Sequence, residues 1–204
     1  MGAHRPGRRA ARGVLITAPG AQRFVYSRRR GHRLRPGRRR LLSQRLPEVE
    51  LALPESGQID PAPFAGRSLW LEIGFGAGEH LAAQAAAHPE ILLIGCEPYV
   101  DGVARLLAQA ETLGLANLRV VVDDARLLLQ ALPDRCLERI FVLFPDPWPK
   151  TRHHKRRIVN PSTAVQFARL LRPGGELRLA TDDMSYARAM LLALATRPER
   201  CWTR

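Results

Sequence analysis

The stretch F-P-D-P-W-P-K-T-R-H-H-K-R-R, residues 144–157, sets one carboxylate, Asp146, between two prolines and beside an indole, Trp148. Seven basic or imidazole side chains then fill the eight positions 150–157. Pro145 and Pro147 restrict the backbone on either side, and Pro149 stiffens the next step, so Asp146 is expected in a stiff, extended geometry. A carboxylate held this way beside a flat ring suits gripping the edge of a nucleobase while the ring stacks on its face. A proline-rich loop with a solvated Asp is the plainer alternative. The cations that follow suit phosphates, against the alternative of a solvated charged face. Of the 32 basic residues only two are lysines, Lys150 and Lys155, and both lie in this segment.

A second constellation lies upstream. In L-E-I-G-F-G-A-G-E-H, Gly74, Gly76 and Gly78 sit where a strand turns into a helix. Glycines there let backbone pass close to a ligand, and the helix start offers free N–H groups. Glu72 precedes them, Glu97 follows Gly78 by nineteen residues, and Asp124 comes at the end of a third apolar run. A carboxylate placed like Glu97 can accept both hydroxyls of a ribose. The dinucleotide fingerprint is broken, because Glu79 stands where its last glycine would be, and a carboxylate there opposes a pyrophosphate. The pattern therefore points to a nucleoside-type cofactor without phosphates, for which S-adenosylmethionine is the obvious choice. A simple tight turn for the glycines, and a helix cap for Asp124, are the structural alternatives.

These residues need a scaffold that brings distant loops together. Short β-rich runs at 68–74, 91–97, 118–124, 139–144 and 176–182 alternate with helical patterns at 79–88, 99–113, 125–132, 161–171 and 183–196. Gly114 stops the second helix, and Asn160 before Pro161 reads as a cap with proline at the first helical position. Continuously apolar strands joined by helices specify a mostly parallel sheet covered on both faces, a doubly wound Rossmann-like α/β sandwich. In that architecture ligands sit outside the carboxyl ends of the strands. The loops beginning at Gly74, Glu97, Asp124, Pro145 and Asp182 are thus expected to share one rim.

The charge is uneven. Residues 1–46 hold fourteen Arg and no acid, while the rest holds 18 basic against 19 acidic residues, so the formal +13 sits on an N-terminal segment. Such a segment is expected to be a flexible arm with a polyanion as partner. It is too poor in serine for an organelle transit peptide. Residues 47–66, with four prolines (47, 54, 61 and 63), read as a linker or wrapping segment, and 67–204 as the single globular domain. No apolar run approaches the roughly 18 residues of a membrane span, so a cytoplasmic protein is expected. Cys96, Cys136 and Cys201 are isolated and the six His lack ligand spacing, so no metal is expected.

Five segments, E-I-G-F-G-A-G-E-H, G-C-E-P-Y-V-D-G-V-A-R-L-L, N-L-R-V-V-V-D-D-A-R-L-L-L, F-P-D-P-W-P-K-T-R-H-H-K-R-R-I-V-N-P and L-R-P-G-G-E-L-R-L-A-T-D-D-M-S-Y-A, resemble the bacterial tRNA (guanine-N7-)-methyltransferase family in order and over about 68–194. The resemblance implies methyl transfer from S-adenosylmethionine to N7 of the variable-loop guanine at position 46 of tRNA, by a monomer or homodimer. It implies that Glu72, Glu97 and Asp124 hold the cofactor together with the turn at Gly74, Gly76 and Gly78. Asp146 matches the catalytic residue and is counted among the cofactor contacts. Lys150 and Asp182 match substrate contacts, and Arg152, His153, His154, Lys155, Arg156 and Arg157 match an RNA-contacting stretch. That family continues past its last helix into two closing strands, so a sheet without them is expected for a chain ending in R-P-E-R-C-W-T-R.

Overall fold

The computed structural model describes residues 34–196. Strands β1 (Leu69–Ile73), β2 (Leu92–Cys96), β3 (Leu118–Val121), β4 (Leu137–Leu143) and β5 (Leu171–Ala180) form one sheet in the order β3-β2-β1-β4-β5, with every neighbouring pair parallel. The helices are α1 (Pro36–Gln44), α2 (Leu46–Val49), α3 (Glu79–Ala87), α4 (Val100–Leu113), α5 (Ala125–Ala131), α6 (Pro161–Leu170) and α7 (Met184–Ala195).

β1 and β2 are buried along their whole length, as strands covered on both faces must be. Leu69, Leu71 and Ile73 turn to one layer with Leu128, Phe167 and Tyr186 of α5, α6 and α7. Trp70 turns to the other, with Leu81 of α3 and Leu106 of α4. Each such apolar side chain stabilises the fold by about 1.5–3 kcal/mol through removal from water. Local signals set the ends: Gly114 takes the left-handed conformation that closes α4, and Asn160 with Thr163 forms a reciprocal capping box at the start of α6.

The register aligns the strand ends. Ile73 pairs with Cys96 on one side and Val142 on the other, Cys96 pairs with Val121, and Leu143 pairs with Ala180. From β1 the chain winds outward through β2 and β3, then returns to the far side of β1 for β4 and β5. The loops leaving β1 and β4 therefore part in opposite directions and open a crevice between them.

Two stretches differ from their sequence readings, the end of the arm and the start of β5. The reading of a flexible arm falls largely on residues 1–33, outside the described residues. Its last part is helix α1, which lies on α4 with Leu41 buried and with Arg38 Nη1 on Asp101 Oδ1 at 2.6 Å. Residues 47–66 run along the outer edge of β3, where Leu51 N–H donates to Val120 O, and then beneath α5, where Ile59 N–H donates to Ala131 O. β5 starts five residues earlier than expected, because R-P-G-G-E is taken up as a bulge: Leu137 pairs with Leu171, but Arg139 already pairs with Glu176. Gly174, at φ 77°, allows the turn.

Candidate functional site

The glycine turn after β1 has an open side and a packed side. A Cβ added to Gly74 or Gly76 would meet nothing within 4 Å, whereas one on Gly78 would lie 2.8 Å from Leu106. The carbonyl of Gly76 presses on α4 so closely that a Cβ on Gly102 would stand 2.1 Å from it. The turn is thus braced from behind and bare in front.

Glu97, first after β2, is 7% exposed. Its Oε2 accepts from Gly76 N–H at 3.0 Å and its Oε1 from Tyr99 N–H at 2.9 Å, so one carboxylate ties two rim loops together. Burial raises its pKa against the lowering effect of these bonds, and the negative charge of Asp146 raises it further. The Gly76 N–H that a phosphate would use is already spent on Glu97, which fits a phosphate-free, cationic nucleoside and not a dinucleotide.

Glu72 lies within β1, 4% exposed, with Oε2 at 2.7 Å from Nδ1 of His80 on α3. Burial raises its pKa and His80 opposes the rise. The structure places it beneath the glycine turn, holding the first turn of α3. Asp124 takes the structural alternative that its position left open: it caps α5 by accepting from Arg126 N–H at 2.9 Å, and it pairs with the Arg126 guanidinium at 3.0 Å. Its neighbour Asp123 is buried, with Oδ1 accepting the Asp124 N–H.

On the β4 side Asp146 is exposed. The chain around it is less extended than the prolines alone suggested, because Phe144 and Trp148 hold φ values of 50° and 45°. Non-glycine residues adopt this conformation seldom, and two of them bracket one carboxylate. Trp148 does not offer its ring to a base: the Arg156 guanidinium covers it at 4.7 Å and the His153 ring meets it edge-on at 5.8 Å. The open aromatic is Phe144, 67% exposed and fixed by its N–H on Ala180 O at 2.8 Å. Asp182 is exposed at the end of β5, and Asp183 beside it caps α7 through Tyr186 N–H.

Lys150 precedes a 3-10 turn, Thr151–Arg156, which leaves Lys150, Arg152 and Lys155 exposed and His153, His154 and Arg156 half-buried. Desolvation first, and then the charges of Arg156, Arg152, Lys150 and Lys155, lower the pKa of His153, so it tends to be neutral. Arg157 departs from the expected RNA-contacting role. It is 4% exposed, its Nε donates to Pro147 O at 2.7 Å, and its guanidinium lies 4.8 Å over the Tyr186 ring. Its position in a run of cations hid this, since nothing local distinguishes a buried arginine from an exposed one. Phe144, His80, Arg126 and Gly102 were likewise not singled out by the sequence; the one readable hint was Phe144, placed directly before the Pro-Asp-Pro unit.

Among the described residues no group of three His, Cys, Asp or Glu side chains is arranged to hold a metal ion, and no helix is long and apolar enough to cross a membrane.

A family model described as "Putative methyltransferase" matches residues 66–201. The chain is 51% identical over 184 residues to the tRNA (guanine-N(7)-)-methyltransferase of Rhodospirillum rubrum, covering 87% of this chain and 72% of that protein. It is 52% identical over 167 residues to the protein of that name in Paramagnetospirillum magneticum, covering 79% and 70%. The solved 16S rRNA methyltransferase KamB superposes with a TM-score of 0.50 at 17% identity over 68% of this chain and 74% of that one, a likeness of fold.

Proposed function

Because the chain belongs to the tRNA (guanine-N7-)-methyltransferase family, which uses S-adenosylmethionine to methylate guanine N7 in tRNA, we propose that its acceptor is the variable-loop guanine at position 46, received in the crevice between β1 and β4. The observation that carries this reading is that Glu97 and Asp146 follow β2 and β4, the two strands that flank β1, and so border the bare face of Gly74 and Gly76 from its two sides.

When bound, the cofactor supplies a methyl carbon on a sulfonium, which the in-plane lone pair of guanine N7 can attack while the C–S electrons return to sulfur. N7 carries no proton at neutral pH, so this chain needs no general base. Its residues act by alignment and charge, and alignment can lower such a barrier by up to roughly 7–11 kcal/mol. Glu97, steadied by two backbone N–H groups, accepts the ribose hydroxyls. Gly74 and Gly76 let the backbone approach, and Glu72 steadies that turn from below. Asp124, already fixed as the α5 cap, borders the nucleoside end. Asp146 accepts from guanine N1–H or N2–H and offsets the positive charge the methylated ring acquires. Phe144 offers its open face to the base, and Asp182 and Lys150 bound the same pocket. Lys150, Arg152, Lys155 and the half-buried His153, His154 and Arg156 meet the phosphates. A base inside an A-form stem presents N7 in a groove too narrow for side chains, so a loop guanine suits this site better than a paired one. The reading carries a cytoplasmic setting with it.

Incubation with radiolabelled S-adenosylmethionine and unmodified tRNA, followed by nucleoside analysis, is expected to return 7-methylguanosine, and a tRNA with adenine at position 46 is expected to lose it. Label on another atom overturns the reaction, and label that persists in the substituted tRNA overturns the position.

A further inference from the structure

We propose that Arg157 is a positioning residue for the reaction, holding the Asp146 segment in its reactive shape, and not one of the phosphate-binding cations that surround it in sequence. The inference rests on the reading of Asp146 given above.

A guanidinium that is 4% exposed and has no carboxylate paired with it among the described residues bears a large desolvation penalty. The contacts that offset it all lead to the site. Nε donates at 2.7 Å to Pro147 O, the carbonyl next after Asp146. Nη2 reaches Ser185 Oγ in the first turn of α7 at 3.4 Å. The guanidinium plane lies over Tyr186, whose ring is fully buried and whose hydroxyl accepts the Val159 N–H at 3.0 Å. The Arg157 backbone is pinned too: its N–H donates to His154 O, and its carbonyl accepts from Asn160 Nδ2. Arg126 Nη2 donates to Arg156 O at 2.9 Å and to Arg157 O at 3.4 Å, while the same guanidinium pairs with Asp124. A continuous chain of contacts thus runs from Asp124 at the end of β3, through Arg126 and Arg157, to the carbonyl beside Asp146 at the end of β4.

This link answers the backbone conformation of the loop. Phe144 and Trp148, at positive φ on either side of Asp146, would relax toward ordinary extended backbone if nothing held them. Arg157 grips the loop between them. A lysine keeps the charge but presents a point donor on a flexible stem, and cannot serve Pro147 O, Ser185 Oγ and the Tyr186 face together.

The test separates a positioning role from a phosphate contact. Arg157→Lys and Arg157→Ala are compared with wild type and with Lys155→Ala for kcat and KM with tRNA, for the log–log salt slope of tRNA binding, for S-adenosylhomocysteine affinity by calorimetry, and for Tm. With about five phosphate contacts the wild-type slope is about −4, and Lys155→Ala is expected to make it shallower by about 0.7–0.9. Both Arg157 variants are expected to keep the wild-type slope and KM while kcat falls at least tenfold, with Arg157→Lys still binding the cofactor product. A wild-type kcat in Arg157→Lys, or a slope made shallower by about one unit in Arg157→Ala, overturns the proposal. Should neither variant fold, Ser185→Ala, at an exposed position, removes one arm of the link and is expected to lower kcat about two- to threefold at unchanged Tm; an unchanged kcat then overturns it. A wild-type enzyme that leaves guanine N7 unmethylated refutes the functional reading instead, before any variant is compared.

Discussion

Gly102, in the first turn of α4, offers the sharpest single perturbation. A Cβ there would lie 2.1 Å from the carbonyl oxygen of Gly76, where real Cβ atoms keep at least 3.0 Å, so Gly102→Ala demands a separation of about 0.9 Å between α4 and the glycine turn. Neither side yields easily. Val103, Ala104, Leu106 and Leu107 of α4 are buried, and Gly78 has no room against Leu106. Overpacking of this kind costs about 1–3 kcal/mol, and for a domain of this size about 2–4 °C of Tm per kcal/mol. The larger effect falls on the cofactor. A shift of the turn stretches the bond from Gly76 N–H to Glu97 from 3.0 Å toward 4 Å and releases one oxygen of a buried carboxylate. A hydrogen bond to a charged group contributes about 1.5–3 kcal/mol, so cofactor affinity is expected to fall about tenfold to a hundredfold. Calorimetric titration with S-adenosylmethionine, paired with thermal unfolding of the same sample, measures both. A Gly102→Ala protein with wild-type affinity and wild-type Tm refutes the claim that the turn is braced by α4.

Glu97→Gln is expected to uncouple stability from function. Burial raises the Glu97 pKa above 4.5, so its ionised form costs folding free energy at neutral pH, and removing the charge raises Tm at pH 8 while weakening cofactor binding at least tenfold. Because the folded pKa is the higher one, the gain in Tm shrinks as pH falls through it toward 4.5, where wild type is protonated too; a gain that grows on acidification contradicts the assignment. Asp146→Asn keeps the shape and loses the charge, so it is expected to bind the cofactor normally while turnover of tRNA falls at least tenfold, and near-wild-type turnover removes Asp146 from the mechanism. Phe144→Gly relieves a left-handed conformation at φ 50° and gives up a ring that is mostly in solvent. Its stability is expected to hold or rise by about 1 kcal/mol, while kcat/KM for tRNA falls about 5- to 100-fold, the range of one base–aromatic stack. Phe144→Tyr is expected to restore it, and activity that survives Phe144→Gly dismisses the stacking role.

Strand and helix order, the parallel sheet and the rim where the strands end were legible in the sequence because period and punctuation are local properties. The five apolar runs, Gly114 and the Asn160–Pro161 start each announce themselves within a few residues. The bulge in β5 was not legible, since Arg172 to Glu176 looks like a helix stop until its pairing with β4 is known. Glu97 was legible as a rim carboxylate because its spacing from the glycine turn carries the information. The inward turn of Arg157 was not, because Lys150, Arg152, Lys155 and Arg156 beside it share its charge and burial alone sets it apart.

By itself, then, the order of residues determined the layered fold, the cofactor class and the motif segments that mark the family, all encoded in spacing along the chain. Tertiary structure decided which of those groups are free to act. Asp124 is a helix cap paired with Arg126, the Trp148 face is covered by Arg156, Phe144 is left open, and Arg157 is turned inward. The physical reason is that solvent access and hydrogen-bond partners belong to positions far apart in sequence. Arg157 meets Ser185, Arg126 meets the carbonyl of Arg156, and Gly102 meets Gly76, and such pairings exist only once the sheet has brought its loops to one rim.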